Sequence, residues 1–243
     1  MVDRQILATS GGMVPTGRGP FQWRIGGLIR HAMELTGRGV PRLCFLNTAS
    51  GDNDVGIRAC YGAFAGERAA VSHVQLFLMP NVDDVRAHLL AQDVIWVGGG
   101  SVANLLAVWR VHGLDEIMRE AWEAGVVLGG VSAGSLCWHV GGTTDSFGPE
   151  LRPITNGLSF LPYGNGVHYD SEPQRRAALW QLVGGGTLPL SFATDDGVGL
   201  HYVGTELVEA VAELPERSAW RVEADGRGGV VEAHITPRLL EPA

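Results

Sequence analysis

The sequence predicts an α/β fold, with a mostly parallel sheet flanked by helices and all of it in one domain over residues 1–243. Three observations carry that expectation. Short apolar runs bounded by turn residues alternate with longer segments of helical period, the rhythm of parallel strands joined by helical crossovers. Two apolar runs end in glycine turns that lead into helical segments, Gly98-Gly99-Gly100 and Gly130-Val131-Ser132-Ala133-Gly134. The chain has 243 residues, 45% of them hydrophobic, which suffices for one sizeable core and would be cramped for two.

Taken in order, Ile6-Leu7-Ala8 reads as the first strand, and residues 21–35 carry a mixed apolar and polar helical pattern that Gly37 can cap. A strand follows over residues 42–47, then a loop of turn formers at 48–54 and a helix over 57–70. Residues 74–78 read as a strand and 84–91 as a short helix. Val94-Ile95-Trp96-Val97 is a buried strand running into the first glycine turn, after which helices are expected over 102–111 and 114–124. Residues 126–128 form the strand that feeds Ser132, and residues 135–139 continue as a helix. Prolines 149, 153 and 162 break the periodicity of residues 143–167, which reads as loops and as a candidate lid. Residues 173–183 read as a helix opened by Pro173, and the remainder to about residue 235 alternates in the manner of strands.

The formal charge of -8 arises from 26 acidic and 18 basic residues scattered along the chain, with no Lys/Arg run able to track a phosphate backbone, so nucleic acid is not an expected partner. No stretch approaches the roughly 20 apolar residues of a membrane span, and the first ten residues hold too few apolar positions for a signal-peptide core. Cys44, Cys60 and Cys137 are odd in number and widely spaced, and read as reduced thiols of a cytoplasmic protein. No cluster with metal-ligand spacing is visible, and neither metal nor cofactor is called for. Assembly as a homodimer is left open.

A strand ending in small residues, then Gly-x-Ser-x-Gly, then a helix is the setting of a nucleophile elbow, in which a tight turn exposes the hydroxyl. Ser132 occupies it. The amides of Gly99, Gly100 and Ala133 are the candidate oxyanion donors. A serine needs a base, and eight histidines compete. His31, His88 and His112 fall in or beside surface helices, His73 precedes a strand, His139 shares the helix of Ser132, and His201 and His234 lie in late strands. His168 stands out because the turn Asn165-Gly166-Val167 delivers it into the polar cluster Tyr169-Asp170-Ser171-Glu172. Asp145, Asp170, Glu172, Asp195 and Asp196 could each orient its ring, and spacing does not choose among them.

Together, Thr48 to Asp52, Tyr61 to Phe64, Val97 to Ser101, Asn104 to Leu106, Gly130 to Gly134, Thr143 to Asp145 and Val167 to Pro173 resemble the peptidase S51 family, which includes α-aspartyl dipeptidase (peptidase E) and cyanophycinase. The resemblance implies a class I glutamine-amidotransferase-like, flavodoxin-like architecture and a serine exopeptidase acting on short peptides, chiefly dipeptides with amino-terminal aspartate. It implies Ser132 as nucleophile and His168 as base. For the acid, the peptidase E pattern points to Asp145 after Thr143-Thr144, and the cyanophycinase pattern to Asp196; Asp145 is preferred. This sequence departs from peptidase E at Gly142, where that pattern has arginine, and at Val131, where it has tryptophan. A substrate carboxylate would therefore need another cation, for which Arg152, Arg175 and Arg176 are candidates, with Glu172 as a further substrate-binding group. The alternatives are an α/β-hydrolase-type esterase, a cyanophycinase-like peptidase and a non-catalytic module of the same fold that holds a small anion.

Overall fold

The computed structural model describes residues 3–19 and 22–241. Eight strands form the larger sheet, in the order Arg238–Leu239, Glu206–Ala212, Val198–Val203, Gln5–Thr9, Val127–Val131, Val94–Val97, Arg42–Leu46 and Ala70–Val74. From Gln5–Thr9 to Ala70–Val74 every neighbouring pair is parallel, whereas Val198–Val203 runs antiparallel to both of its neighbours. Four of the five parallel strands are largely apolar and buried, as strands covered on both faces must be, while the edge strand Ala70–Val74 carries Ser72 and His73 and is partly exposed. Their registers pair Thr9 with Val131 and Val97 with Gly130, so Ser10, Gly98 and Ser132 leave the sheet at one edge. That carboxyl edge is where open α/β sheets hold ligands.

The expectation of one sheet is corrected. A second sheet of six strands runs in the order Val230–Ile235, Ala219–Ala224, Ser191–Thr194, Leu161–Gly166, His139–Thr144 and Arg152–Ile154. Its three central strands are parallel and its outer ones antiparallel. Three of these strands lie within residues 139–166, most of the segment read as loops and a lid. Prolines hid them: Pro153 sits on the edge strand Arg152–Ile154, where a missing N–H is tolerated, and Pro162 lies beside a register shift between Leu161 and Gly164. Thr143, Thr144 and Asn165 are buried within these strands, while the turn over residues 145–151 between them is largely exposed.

His139 opens a strand instead of sharing the helix of Ser132, which spans only Ala133–Leu136. Near the amino terminus, Trp23–Ile25 pairs with Met13–Pro15 as a hairpin, and the helix is confined to Gly27–Glu34; Phe21, where that helix was expected to begin, lies outside the described residues. The next helix ends at Ala63, seven residues early, and the following strand is Ala70–Val74. The helices Val85–Leu90, Val102–His112 and Leu114–Glu123 fall close to where periodicity put them, and Asn53, Asp84 and Ser101 cap Asp54–Ala63, Val85–Leu90 and Val102–His112 through side-chain oxygens. Among the described residues, no helix is long and apolar enough to cross a membrane.

The largest cluster of buried side chains draws on both sheets, from Ile6, Leu128 and Trp109 to Phe192 and Ala219. Trp109 and Trp138 are fully buried beside one another, and Trp109 Nε1–H donates to Thr48 Oγ1 at 3.2 Å. On the other face Trp96 packs flat over Gly129, where a Cβ would lie 2.8 Å from the indole. Burying one such indole contributes about 4–6 kcal/mol before entropy is charged against it.

Candidate active site

Ser132 leaves the strand Val127–Val131 with φ 56° and ψ -110°, a conformation that costs a non-glycine residue about 1–3 kcal/mol. The surroundings enforce it. Ser132 N–H donates to Thr9 O at 3.0 Å, while Ser132 O accepts from the N–H groups of Ser135 and Leu136, each at 2.9 Å. Both glycines of the motif are demanded by backbone approach: a Cβ on Gly130 would lie 2.5 Å from Gly134 O, and one on Gly134 would lie 2.2 Å from Val97 O. The two glycine turns are thus in contact, and Gly99 is so close that its Cβ would lie 3.4 Å from that of Ser132. Gly100 has φ 135° and packs against Ala49 O.

His168 follows the strand Leu161–Gly166, and Asp196 follows its parallel neighbour Ser191–Thr194. The two side chains therefore emerge together, and His168 Nδ1–H donates to Asp196 Oδ1 at 2.6 Å. This bond fixes the tautomer that leaves Nε2 free to accept a proton. His168 has φ 54° and is held by its own N–H, which donates to Ser10 Oγ at 3.1 Å; that oxygen lies 2.6 Å from Thr194 Oγ1. Asp170 Oδ1 accepts the N–H of Asp196 at 2.8 Å and pairs with Arg217 through its other oxygen. Asp195 turns away to accept from Ser218 N–H and Trp220 Nε1–H, and burial raises its carboxyl above the usual range.

Two cavities meet at His168. The polar one, of ≈ 360 Å³, is lined by Gly100, Ser101, Ser132, Asp145, Ser146, His168, Glu172 and Arg175. The apolar one, of ≈ 660 Å³, reaches from Gly99, Val131, His168 and Asp196 to Met13, Trp23, Phe45, Cys60 and Trp96.

The structure thus brings Ser132, His168, Gly99, Gly100 and Asp196 to one place. Asp145 does not reach the imidazole: its side chain is 60% exposed and points at Arg175, 3.9 Å away. The preference for Asp145 gives way to Asp196, because the strand that carries Asp196 is the neighbour of the one that delivers His168. Of the three arginines, Arg175 is the one that lines the polar cavity. It is 3% exposed, donates to Glu172 Oε2 at 2.8 Å and to Thr143 O at 3.0 Å, and shares the polar cavity with Glu172. Arg176 pairs with Glu232 at 2.6 Å and stacks over Tyr169 and Trp220, while Arg152 lies on an exposed edge strand and lines neither cavity. Sequence reasoning passed over Ser10 and the aromatic cavity; the Ser10-Gly11-Gly12 run after the first strand was a signal for the former.

The fold and the joined glycine turns define an α/β protein with a nucleophile-elbow geometry, and comparison with known proteins says which. Residues 22–210 match Peptidase family S51, and the chain belongs to that family. It is 42% identical over 195 residues, 80% of this chain and 84% of the other, to the uncharacterized peptidase YgaJ of Bacillus subtilis (strain 168). A solved structure of a peptidase from an acI-B1 Actinobacterium superposes with TM-score 0.63 at 16% identity, covering 95% of each chain. A Listeria monocytogenes EGD-e protein assigned as a peptidase E gives TM-score 0.59 at 16% identity over 85% of this chain and 98% of that one. The chain is therefore a peptidase by family, of the α/β class.

Proposed function

We propose that this chain is a serine exopeptidase that cleaves the first residue from short peptides through an acyl-enzyme on Ser132. The observation that carries the reading is the 2.6 Å bond from His168 Nδ1–H to Asp196, made by a histidine that lines the same cavity as the strained Ser132. Ser132 Oγ attacks the scissile carbonyl and its proton passes to His168 Nε2; the developing imidazolium is stabilised by Asp196. The carbonyl oxygen is received by the amides of Gly99, Gly100 and Ala133. His168 then returns the proton to the leaving amine, and water, deprotonated by the same imidazole, releases the acyl residue.

The polar cavity suits the first residue, with Asp145 on its ammonium and Arg175, held by Glu172, on a β-carboxylate. This supports a preference for amino-terminal aspartate, which the resemblance to peptidase E also implies. The position of the acid resembles the cyanophycinase pattern, which keeps a cyanophycinase-like peptidase as the alternative reading. The whole chain acts as one domain of class I amidotransferase-like architecture, with a short peptide as its partner. Cytoplasmic residence is supported by the free thiols of Cys44, Cys60 and Cys137.

A dipeptide library assayed with wild type and Ser132→Ala tests the reading. Turnover of Asp-Leu and related dipeptides is expected, with a loss of about 10⁴-fold or more in kcat for the variant. Full turnover by Ser132→Ala would overturn the mechanism, and an ester-only activity would favour the esterase alternative.

A further inference from the structure

His201 and Glu209 are directly opposed on the antiparallel strands Val198–Val203 and Glu206–Ala212. The helix Gly27–Glu34 lies over them and places the ring of His31 edge-on to that of His201, centroids 6.0 Å apart. Both histidines are only 7% exposed, contrary to the surface setting expected for His31. None of the three residues lines either cavity at Ser132.

The hydrogen bonds around the cluster fix where the lone pair of His201 points. His201 Nε2–H donates to Gln5 Oε1 at 2.9 Å, and the Gln5 amide is oriented by its Nε2–H, which donates to Leu35 O at 3.5 Å. A neutral His201 therefore turns the lone pair of Nδ1 toward Glu209 Oε1, 3.9 Å away. His31 Nε2 lies 3.6 Å from the same oxygen and is buried without a hydrogen-bond partner among the described residues. One donor atom from each residue falls within 4.8 Å of the other two. With Nδ1–H of His31 turned to Glu34 Oε2, 3.7 Å away, its Nε2 joins His201 Nδ1 and the Glu209 carboxylate around one gap that a cation would fill.

We propose that His31, His201 and Glu209 form a binding site for a divalent transition-metal ion of the zinc type, which ties the helix Gly27–Glu34 to the sheet. Two imidazoles and a carboxylate are the donor set such ions take, at about 2.0–2.2 Å from the ion, which sets neighbouring tetrahedral donors about 3.4 Å apart; the 3.6 and 3.9 Å spacings to Glu209 are near that, and the two imidazole donors, within 4.8 Å of one another, must draw together on binding. The outer contacts also fit, because metal-bound histidines give their second N–H to an acceptor and metal-bound carboxylates are themselves hydrogen-bonded. Gln5 does the first, and Arg238 does the second with two bonds of 2.9 Å to Glu209. The charge of Arg238 opposes the cation, so affinity falls short of that of a closed four-ligand site. Glu209 is 31% exposed, which gives the ion an entry path and a water a fourth position.

The test uses the full chain after chelator treatment, titrated with Zn²⁺ in a calorimeter and with Co²⁺ by visible absorption. One ion per chain is expected to bind, with a rise in thermal midpoint. Glu209→Gln and His31→Asn should each weaken binding about 10-fold or more, whereas His168→Asn, at the elbow, should leave it unchanged. Absence of binding at millimolar metal, wild-type affinity in either cluster variant, or loss in His168→Asn would each overturn the proposal. X-ray absorption at the zinc edge of the wild type keeps the test independent of variant folding: two imidazole ligands support the site, and none or one refutes it.

Discussion

Replacing Asp196 by asparagine, beside the matching replacement of Asp145, separates the two acids proposed for one imidazole. In the transition state His168 becomes an imidazolium with its charge about 4 Å from that of Asp196, an attraction of about 1 kcal/mol in water and about 4 kcal/mol at an effective dielectric near 20. Asp196 is 40% exposed and His168 23% exposed, so the pair lies between these limits. Asp196→Asn should therefore lower kcat by about 10- to 1000-fold, with little change in KM, because the lost charge acts only once the imidazole is protonated. Asp145 is 60% exposed and 3.9 Å from Arg175, so Asp145→Asn should leave kcat within about 3-fold and show any effect in KM. Steady-state kinetics on Asp-Leu at neutral pH give both parameters. A larger kcat loss for Asp145→Asn than for Asp196→Asn would refute the assignment.

Two further predictions concern stability. His139 is fully buried, with Nδ1–H donating to Ser135 O at 2.9 Å and Nε2 unpartnered among the described residues, and burial lowers its pKa from 6.5 to about 4. The unfolded chain therefore binds more protons between those values, and falling pH removes about 3 kcal/mol of stability across that window. His139→Asn keeps a donor near Nδ1 and does not titrate, so urea unfolding of wild type and variant should show a stability gap that shrinks by that amount from pH 7 to pH 4; a pH-independent gap would sink the idea. Gly134→Ala drives a Cβ to 2.2 Å from Val97 O, which should cost about 1–3 kcal/mol and lower the thermal midpoint by several degrees, and an unchanged melt would contradict the packing described.

Features set by local chemistry were legible in the sequence. The glycine turns at 98–100 and 130–134 announce themselves because only glycine permits such backbone approach, and the helices Val102–His112 and Leu114–Glu123 show their period plainly. Features set by tertiary pairing were not. The strands within 139–166 carry glycine and proline where β-formers are expected, and their stability comes from burial between neighbours that no local pattern displays. The acid was undecided for the same reason, since Asp196 meets His168 only because Leu161–Gly166 and Ser191–Thr194 run side by side. His31, His201 and Glu209 come from a helix and two strands, so no ligand spacing could reveal them.

The charges of the polar cavity bear on how the first residue is chosen. Arg175 is the cation that faces it, yet Glu172 already holds that guanidinium at 2.8 Å and Asp145 approaches it at 3.9 Å. One cation between two carboxylates leaves a formal surplus of one negative charge, and a cavity so charged favours an ammonium before it favours any anion. A β-carboxylate can bind there only if one of the two acids turns away from Arg175 to meet the incoming α-ammonium. Asp145, the more exposed and more distant of the two, is the one free to do so. On this argument the acid preferred from sequence for catalysis would serve selection instead. The proposed recognition of aspartate would then depend on exchanging one ion pair for two, which a substrate with an apolar first residue cannot offer.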